Sequence, residues 1–173
     1  TRLQGDWSPD VCSSDLLCLG YKGDLIKDYF LDYEAHTRDF TVRVGGTGGE
    51  PRFHGDPEPF EFAVTLADTG LDTLTGGRVK RVEKYVEGDT FLVTYGDGLA
   101  DVDVGALVRF HRSHGKLATV TAVQPASRFG LLSIDGSDRV TRFAEKPRVE
   151  GWINAGFFVF DRRVFDYIDG GDR

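Results

Sequence analysis

Phe91-Leu92-Val93-Thr94-Tyr95-Gly96-Asp97-Gly98 is the stretch on which the fold class turns. Its first five residues are apolar, β-branched or aromatic, the composition of a buried strand, and the Gly-Asp-Gly that follows breaks it. Open α/β sheets bind ligands just beyond the carboxyl ends of their strands, which is where this turn falls. Glycines on both sides of Asp97 let backbone approach a bulky phosphate or sugar, and the carboxylate can hold a hard cation such as Mg²⁺. The same residues also fit a tight turn whose Asp caps a following helix. Both readings stand on this stretch alone.

Downstream, Asp103 is placed to cap a helix with Val104, Leu107, Val108 and His111 on one face and Gly115 at its end. His111 and His114 share a metal-pair spacing, but no third ligand lies nearby in sequence. A helix C-terminus accommodates such side chains as structural or solvated groups. Leu117 to Val123 alternates as a strand, and Leu131–Ile134 with Val140–Ala144 predicts a hairpin around Asp135-Gly136. Glu145-Lys146-Pro147 ends that hairpin. It fits either a surface ion pair, or a lysine aimed at a phosphate beside a glutamate that accepts from sugar hydroxyls. Trp152 to Gly156 leads into an apolar strand, Phe157–Phe160, and Arg162 to Ile168 predicts a short helix.

Upstream, Leu17 to Tyr21 is the end of a buried strand running into a turn. Asp24 to Tyr33 carries Leu25, Ile26, Tyr29, Phe30 and Tyr33 at helical spacing. Phe40 to Val44 predicts a short strand. The run Gly45 to Gly49 lacks the Lys-Ser/Thr ending of a phosphate loop and is expected to be surface loop. Phe62–Leu66 predicts a strand ending at Ala67-Asp68-Thr69-Gly70. Thr75-Gly76-Gly77-Arg78 then opens a helix with Val79, Val82, Tyr85 and Val86. Glycines ahead of a helix can leave backbone N–H groups for an anion or a base edge, or can simply accompany capping.

Composition narrows the class. With 173 residues, 40% hydrophobic and 28% charged, the chain is one globular domain or most of one. A net charge of −7 argues against a nucleic-acid binder, though not against a locally basic pocket for one phosphorylated small molecule. No apolar run reaches the ~20 residues of a membrane span. The two cysteines, Cys12 and Cys18, fit neither a disulfide framework nor a zinc site, so a reducing, cytoplasmic setting is expected. Thr1 to Leu16 has no periodicity, and Asp6 to Leu16 resembles a translated sequencing-adapter read-through. It is expected to be a non-native tail, with the domain occupying 17–173.

Together, Gly20-Tyr21-Lys22-Gly23, Thr65 to Gly70, Thr75 to Arg78, Thr94 to Gly98, Phe110 to Lys116, Arg128-Phe129-Gly130, Glu145-Lys146-Pro147 and Ile153 to Phe158 resemble the sugar-nucleotide pyrophosphorylases. The Asp-Thr-Gly and Thr-Gly-Gly-Arg pieces are most similar to the glucose-1-phosphate cytidylyltransferases among them. The resemblance implies an α/β fold, three-layer and Rossmann-like (GT-A-like), with a mixed, mostly parallel sheet. It implies cytidylyl transfer from CTP to glucose 1-phosphate, giving CDP-glucose for surface-polysaccharide deoxysugars such as those of O-antigen. Mg²⁺ would be the cofactor, and the protein a homo-oligomer. By resemblance, Asp97 is the catalytic metal ligand, and Thr73, Arg78, Gly96 and Asp97 meet the nucleotide. Gly130, Glu145, Lys146 and Asn154 would meet the sugar phosphate.

There are departures. The family's opening Gly-rich loop with its catalytic lysine is not found here, its second metal-binding Asp would lie past Arg173, and Ala155 stands where Gly is usual. The chain is therefore expected to be an incomplete fragment. Two rivals follow. One is a metal-dependent glycosyltransferase using Asp101-Val102-Asp103 as an Asp-x-Asp; the other is a non-catalytic fragment that binds sugar phosphate or nucleotide.

Overall fold

The computed structural model describes residues 15–46, 48–57, 63–148 and 151–169. The chain divides into two compact units, the first holding the described residues up to Val86 and those from Phe165, the second Glu87–Val164.

Unit 1 is built on a parallel pair, β1 (Asp15–Leu19) beside β4 (Val64–Asp68), in a register that sets Leu17 against Leu66 and Leu19 against Asp68. The expected boundary between Leu16 and Leu17 falls inside β1, whose first residues pair with Val64 and Thr65; residues 1–14 lie outside the described residues. A parallel pair needs a long crossover. Here it includes α1 (Gly23–Leu31), α2 (Tyr33–Thr37) and a short antiparallel ribbon, β2 (Phe40–Thr41) with β3 (Arg52–Phe53). The single helix expected over Asp24–Tyr33 is thus split at Asp32, and its apolar face stays open, with Leu25 and Tyr29 exposed. Phe40–Val44 contracts to two residues of strand, and β3 had no periodicity to announce it. Gly45, Gly46 and Gly48 have positive φ and open space around them, as a surface loop should; Thr47 and residues 58–62 lie outside the described residues. Helix α3 (Thr75–Arg81) and a 3₁₀ turn at Glu83–Tyr85 follow β4 and bury Val79, Val82 and Val86.

Unit 2 centres on a three-stranded sheet of order β5 (Thr90–Thr94), β9 (Ile153–Asp161), β6 (Ala118–Val123). The mixed α/β class is as expected; the described pairings are one parallel and four antiparallel. The reason lies in β9. The strand–helix–strand run β5, α4 (Val104–His114), β6 does carry the chain back in the same direction, but β9 inserts between those strands and runs against both. Phe91 faces Phe160 across the pair with ring centroids 5.6 Å apart, and Val159 is fully buried. Being an edge of this sheet, β5 is half-buried rather than buried as expected. The predicted hairpin is present as β7 (Leu131–Ile134) with β8 (Val140–Ala144); Asp135 accepts from Ser137 and Arg139 in its turn.

Helix α4 docks on β6 through histidines. His111 is 4% exposed, and its Nδ1 lies 2.8 Å from Thr119 Oγ1, as does His114 Nε2. Lys116 N–H donates to His114 Nδ1 at 2.9 Å, which makes that nitrogen an acceptor. Nε2–H of His114 then donates to Thr119, and the Thr119 hydroxyl proton is left for His111 Nδ1. The structural reading of this pair is the one the bonds support.

Burial, and then the nearby charge of His114, hold the His111 pKa below its usual value; Asp161 opposes this and Arg112 adds to it. The unfolded chain therefore binds this proton more readily, so the stabilisation is complete above the unfolded pKa of about 6.5 and is lost as pH falls below it. Urea midpoints are expected to drop between pH 7.5 and 5.5 in the native chain and to change less in His111→Gln. Equal slopes would contradict this assignment.

Candidate functional site

In unit 2, Gly98 N–H donates to Tyr95 O at 3.3 Å, closing a turn with Gly96 and Asp97 at its centre. Asp97 does not cap a helix. That role belongs to Asp103, whose Oδ1 accepts from Ala106 N–H at 2.8 Å at the start of α4. Asp97 is exposed, and a Cβ built on Gly96 would meet nothing within 4 Å, so there is room beside the carboxylate. Among the described residues no group of three or more His, Cys, Asp or Glu could enclose a metal ion. A single open carboxylate suits Mg²⁺, which keeps several waters and typically takes one or two carboxylates plus substrate phosphate oxygens.

The start of β9 comes to the same turn. Asn154 Nδ2 donates to Tyr95 Oη at 3.2 Å, and Asn154 Oδ1 accepts from Gly156 N–H at 2.8 Å. Gly156 has φ of 82°, and a Cβ there would fall 2.7 Å from Tyr95 Cδ2, so glycine serves both the backbone and the ring. Asp97 and Asn154, far apart in sequence, are thus tied together through Tyr95.

The mouth of the β7–β8 hairpin assembles the other residues expected on the sugar side. A Cβ on Gly130 would lie 2.7 Å from the Phe143 ring and 3.2 Å from Glu145 Oε2, which places Gly130 and Glu145 side by side. Lys146 follows with φ of 43°, the left-handed region that a non-glycine residue rarely adopts. Ser127 N–H donating to Pro147 O at 2.8 Å and the bridge between Ala126 and Arg148 fasten the segment on either side. Strain of this kind concentrates at functional sites.

Thr73 and Arg78 belong to unit 1. Arg78 Nη1 donates to Leu19 O at 3.0 Å and Thr69 Oγ1 at 2.8 Å, and Nη2 donates to Leu71 O at 3.1 Å. The guanidinium lies so close over Gly20 that a Cβ there would sit 2.6 Å from it. Arg81 Nη1 donates to Thr69 O and to Thr73 Oγ1, at 2.6 and 2.7 Å. The loop from Thr69 to Thr73 is therefore held by two arginines. Gly76 and Gly77 lie inside α3 rather than ahead of it. Sequence reasoning passed over Tyr95, Thr69 and Arg81; the first two stand inside motifs already quoted, whereas Arg81 looked like an ordinary helix-surface cation. Arg78→Ala is expected to destabilise the chain by about 1.5–3 kcal/mol in urea unfolding, because a charged donor to two part-buried acceptors, Leu19 O and Thr69 Oγ1, is lost. Unchanged stability would return Arg78 to a direct contact role.

The sequence matches the nucleotidyl transferase family over residues 60–172. It is 48% identical over 156 residues to glucose-1-phosphate cytidylyltransferase of Salmonella typhi, covering 89% of this chain and 59% of that protein. It is 43% identical over 153 residues to the probable glucose-1-phosphate cytidylyltransferase of Bacillus subtilis (strain 168), covering 88% of this chain and 58% of that one. The chain thus spans less than two thirds of the length of these relatives. The crystal structure of HddC from Yersinia pseudotuberculosis superposes with a TM-score of 0.53 at 22% identity, over 93% of this chain and 61% of that one, a likeness of fold.

Proposed function

The chain belongs to the nucleotidyl transferase family, and from that premise we propose that its parent protein transfers a cytidylyl group from CTP to glucose 1-phosphate, giving CDP-glucose and pyrophosphate. The observation that carries this reading is the open Asp97 turn joined through Tyr95 to Asn154, with Gly130, Glu145 and Lys146 gathered at the hairpin mouth. An oxygen of the sugar phosphate attacks the α-phosphorus in line and pyrophosphate leaves. Such transfers rest on positioning and charge neutralisation and need no covalent nucleophile.

Asp97 would hold Mg²⁺, which supplies charge neutralisation on the triphosphate. Lys146 meets the sugar phosphate as a point charge, Glu145 and Asn154 read glucose hydroxyls, and Gly130 permits their close approach. Gly96 leaves space for the nucleotide. Thr73 and Arg78 serve the nucleotide side, Arg78 by holding the Thr69–Thr73 loop in shape. Among the described residues no helix is long and apolar enough to cross a membrane; a cytoplasmic homo-oligomer acting on small molecules completes the proposal.

The test is product analysis of the parent protein with CTP, glucose 1-phosphate and Mg²⁺. Pyrophosphate released in step with CDP-glucose is expected. No pyrophosphate in that mixture, with sugar passed to an acceptor when a nucleotide sugar and an acceptor are supplied instead, would assign the protein to the glycosyltransferases.

A further inference from the structure

Tyr95 acts through two different groups. Its carbonyl accepts from Gly98 N–H and so closes the turn that carries Asp97. Its phenolic oxygen accepts from Asn154 Nδ2 at 3.2 Å. The other end of that amide, Oδ1, receives Gly156 N–H at 2.8 Å. A backbone N–H can only donate, so this bond fixes which end of the amide is oxygen. Nδ2 must then face Tyr95, with one hydrogen engaged there and the second left over.

The terminal torsion of an asparagine is otherwise broad, and Asn154 is exposed at the start of β9. Holding both ends of the amide removes that freedom. The Tyr95 ring is itself held, against Gly156 on one side and edge-on to Phe158, with centroids 6.1 Å apart at 79°.

We propose that Tyr95 is a positioning residue for sugar recognition, its hydroxyl locking Asn154 in the orientation that presents the free Nδ2 hydrogen to a glucose hydroxyl. This rests on the reading of Asn154 as a sugar contact. The lock is a neutral hydrogen bond serving a neutral hydroxyl of the substrate. Its loss weakens sugar binding selectively, leaving the nucleotide side and the chemical step alone.

Steady-state kinetics of the parent protein test this with Tyr95→Phe, Asn154→Ala and the double variant. Phenylalanine keeps the ring against Gly156 and Phe158 while removing the hydroxyl. Tyr95→Phe is expected to raise KM for glucose 1-phosphate about three- to tenfold, the scale of one neutral hydrogen bond. KM for CTP, kcat and the thermal midpoint should hold. In the Asn154→Ala background the same change should add nothing further, because the two side chains act as one unit.

A merely structural tyrosine would lower the thermal midpoint and move both KM values together, which would overturn the proposal. If Asn154→Ala leaves KM for glucose 1-phosphate unchanged, the sugar reading of Asn154 fails and the proposal falls with it. If Asn154→Ala raises that KM while Tyr95→Phe does not, or if Tyr95→Phe adds its full effect in the double variant, only the positioning role is overturned.

Discussion

Asp97→Asn in the parent protein is expected to cut Mg²⁺-dependent turnover by about 10²–10³-fold, on the scale of losing one fixed charge-stabilising group in an active site. The thermal midpoint should not move, because Asp97 sits exposed at the centre of a turn closed by Tyr95 O and Gly98 N–H, and its side chain caps no helix. Asparagine keeps the size and the turn preference while removing the negative charge, so the loss reports on cation binding alone. Higher Mg²⁺ should recover part of the activity. Turnover like that of the native protein in this variant would remove Asp97 from the site.

Lys146→Ala is the second large effect expected. The charge–phosphate contact assigned to Lys146 belongs to one substrate, so KM for glucose 1-phosphate should rise about 10- to 100-fold, the range of a charge-assisted hydrogen bond, while KM for CTP stays where it was. Backbone strain offers a control. Lys146 has φ of 43°, so Lys146→Gly should relieve strain and stabilise the protein slightly while raising the same KM by a similar factor. A rise in both KM values together would contradict the phosphate role, as would a loss of activity tracking a loss of stability.

Local chemistry in the sequence announced a good part of this site. The strand ending in Gly-Asp-Gly, the Asp103 cap and Gly115 terminus of α4, and the hairpin that delivers Glu145 and Lys146 are all set by residues within a few positions of one another. Non-local pairing was not legible. Nothing in Phe157–Phe160 says that this strand enters between β5 and β6, and that insertion is what turns their shared direction into antiparallel pairing and brings Asn154 to Tyr95.

Arg78 is illegible for a related reason. A lone cation at a helix start fits an anion contact equally well, until Leu19 O, Thr69 Oγ1 and Leu71 O are seen to take its hydrogens. The histidine pair is easier. Its spacing fits a metal pair, but with no third ligand nearby in sequence a structural role is already favoured, and the backbone N–H from Lys116 that makes His114 Nδ1 an acceptor gives that role its geometry.

The most direct measurement follows the α-phosphorus. The parent protein is given CTP labelled at that atom, with unlabelled glucose 1-phosphate and Mg²⁺. The account predicts that the label moves into CDP-glucose at the rate at which unlabelled pyrophosphate appears, and that Asp97→Asn slows both alike. Label remaining in CTP or passing only to CMP, while glucose 1-phosphate is left unchanged, would contradict cytidylyl transfer and leave a domain that binds its ligands without joining them.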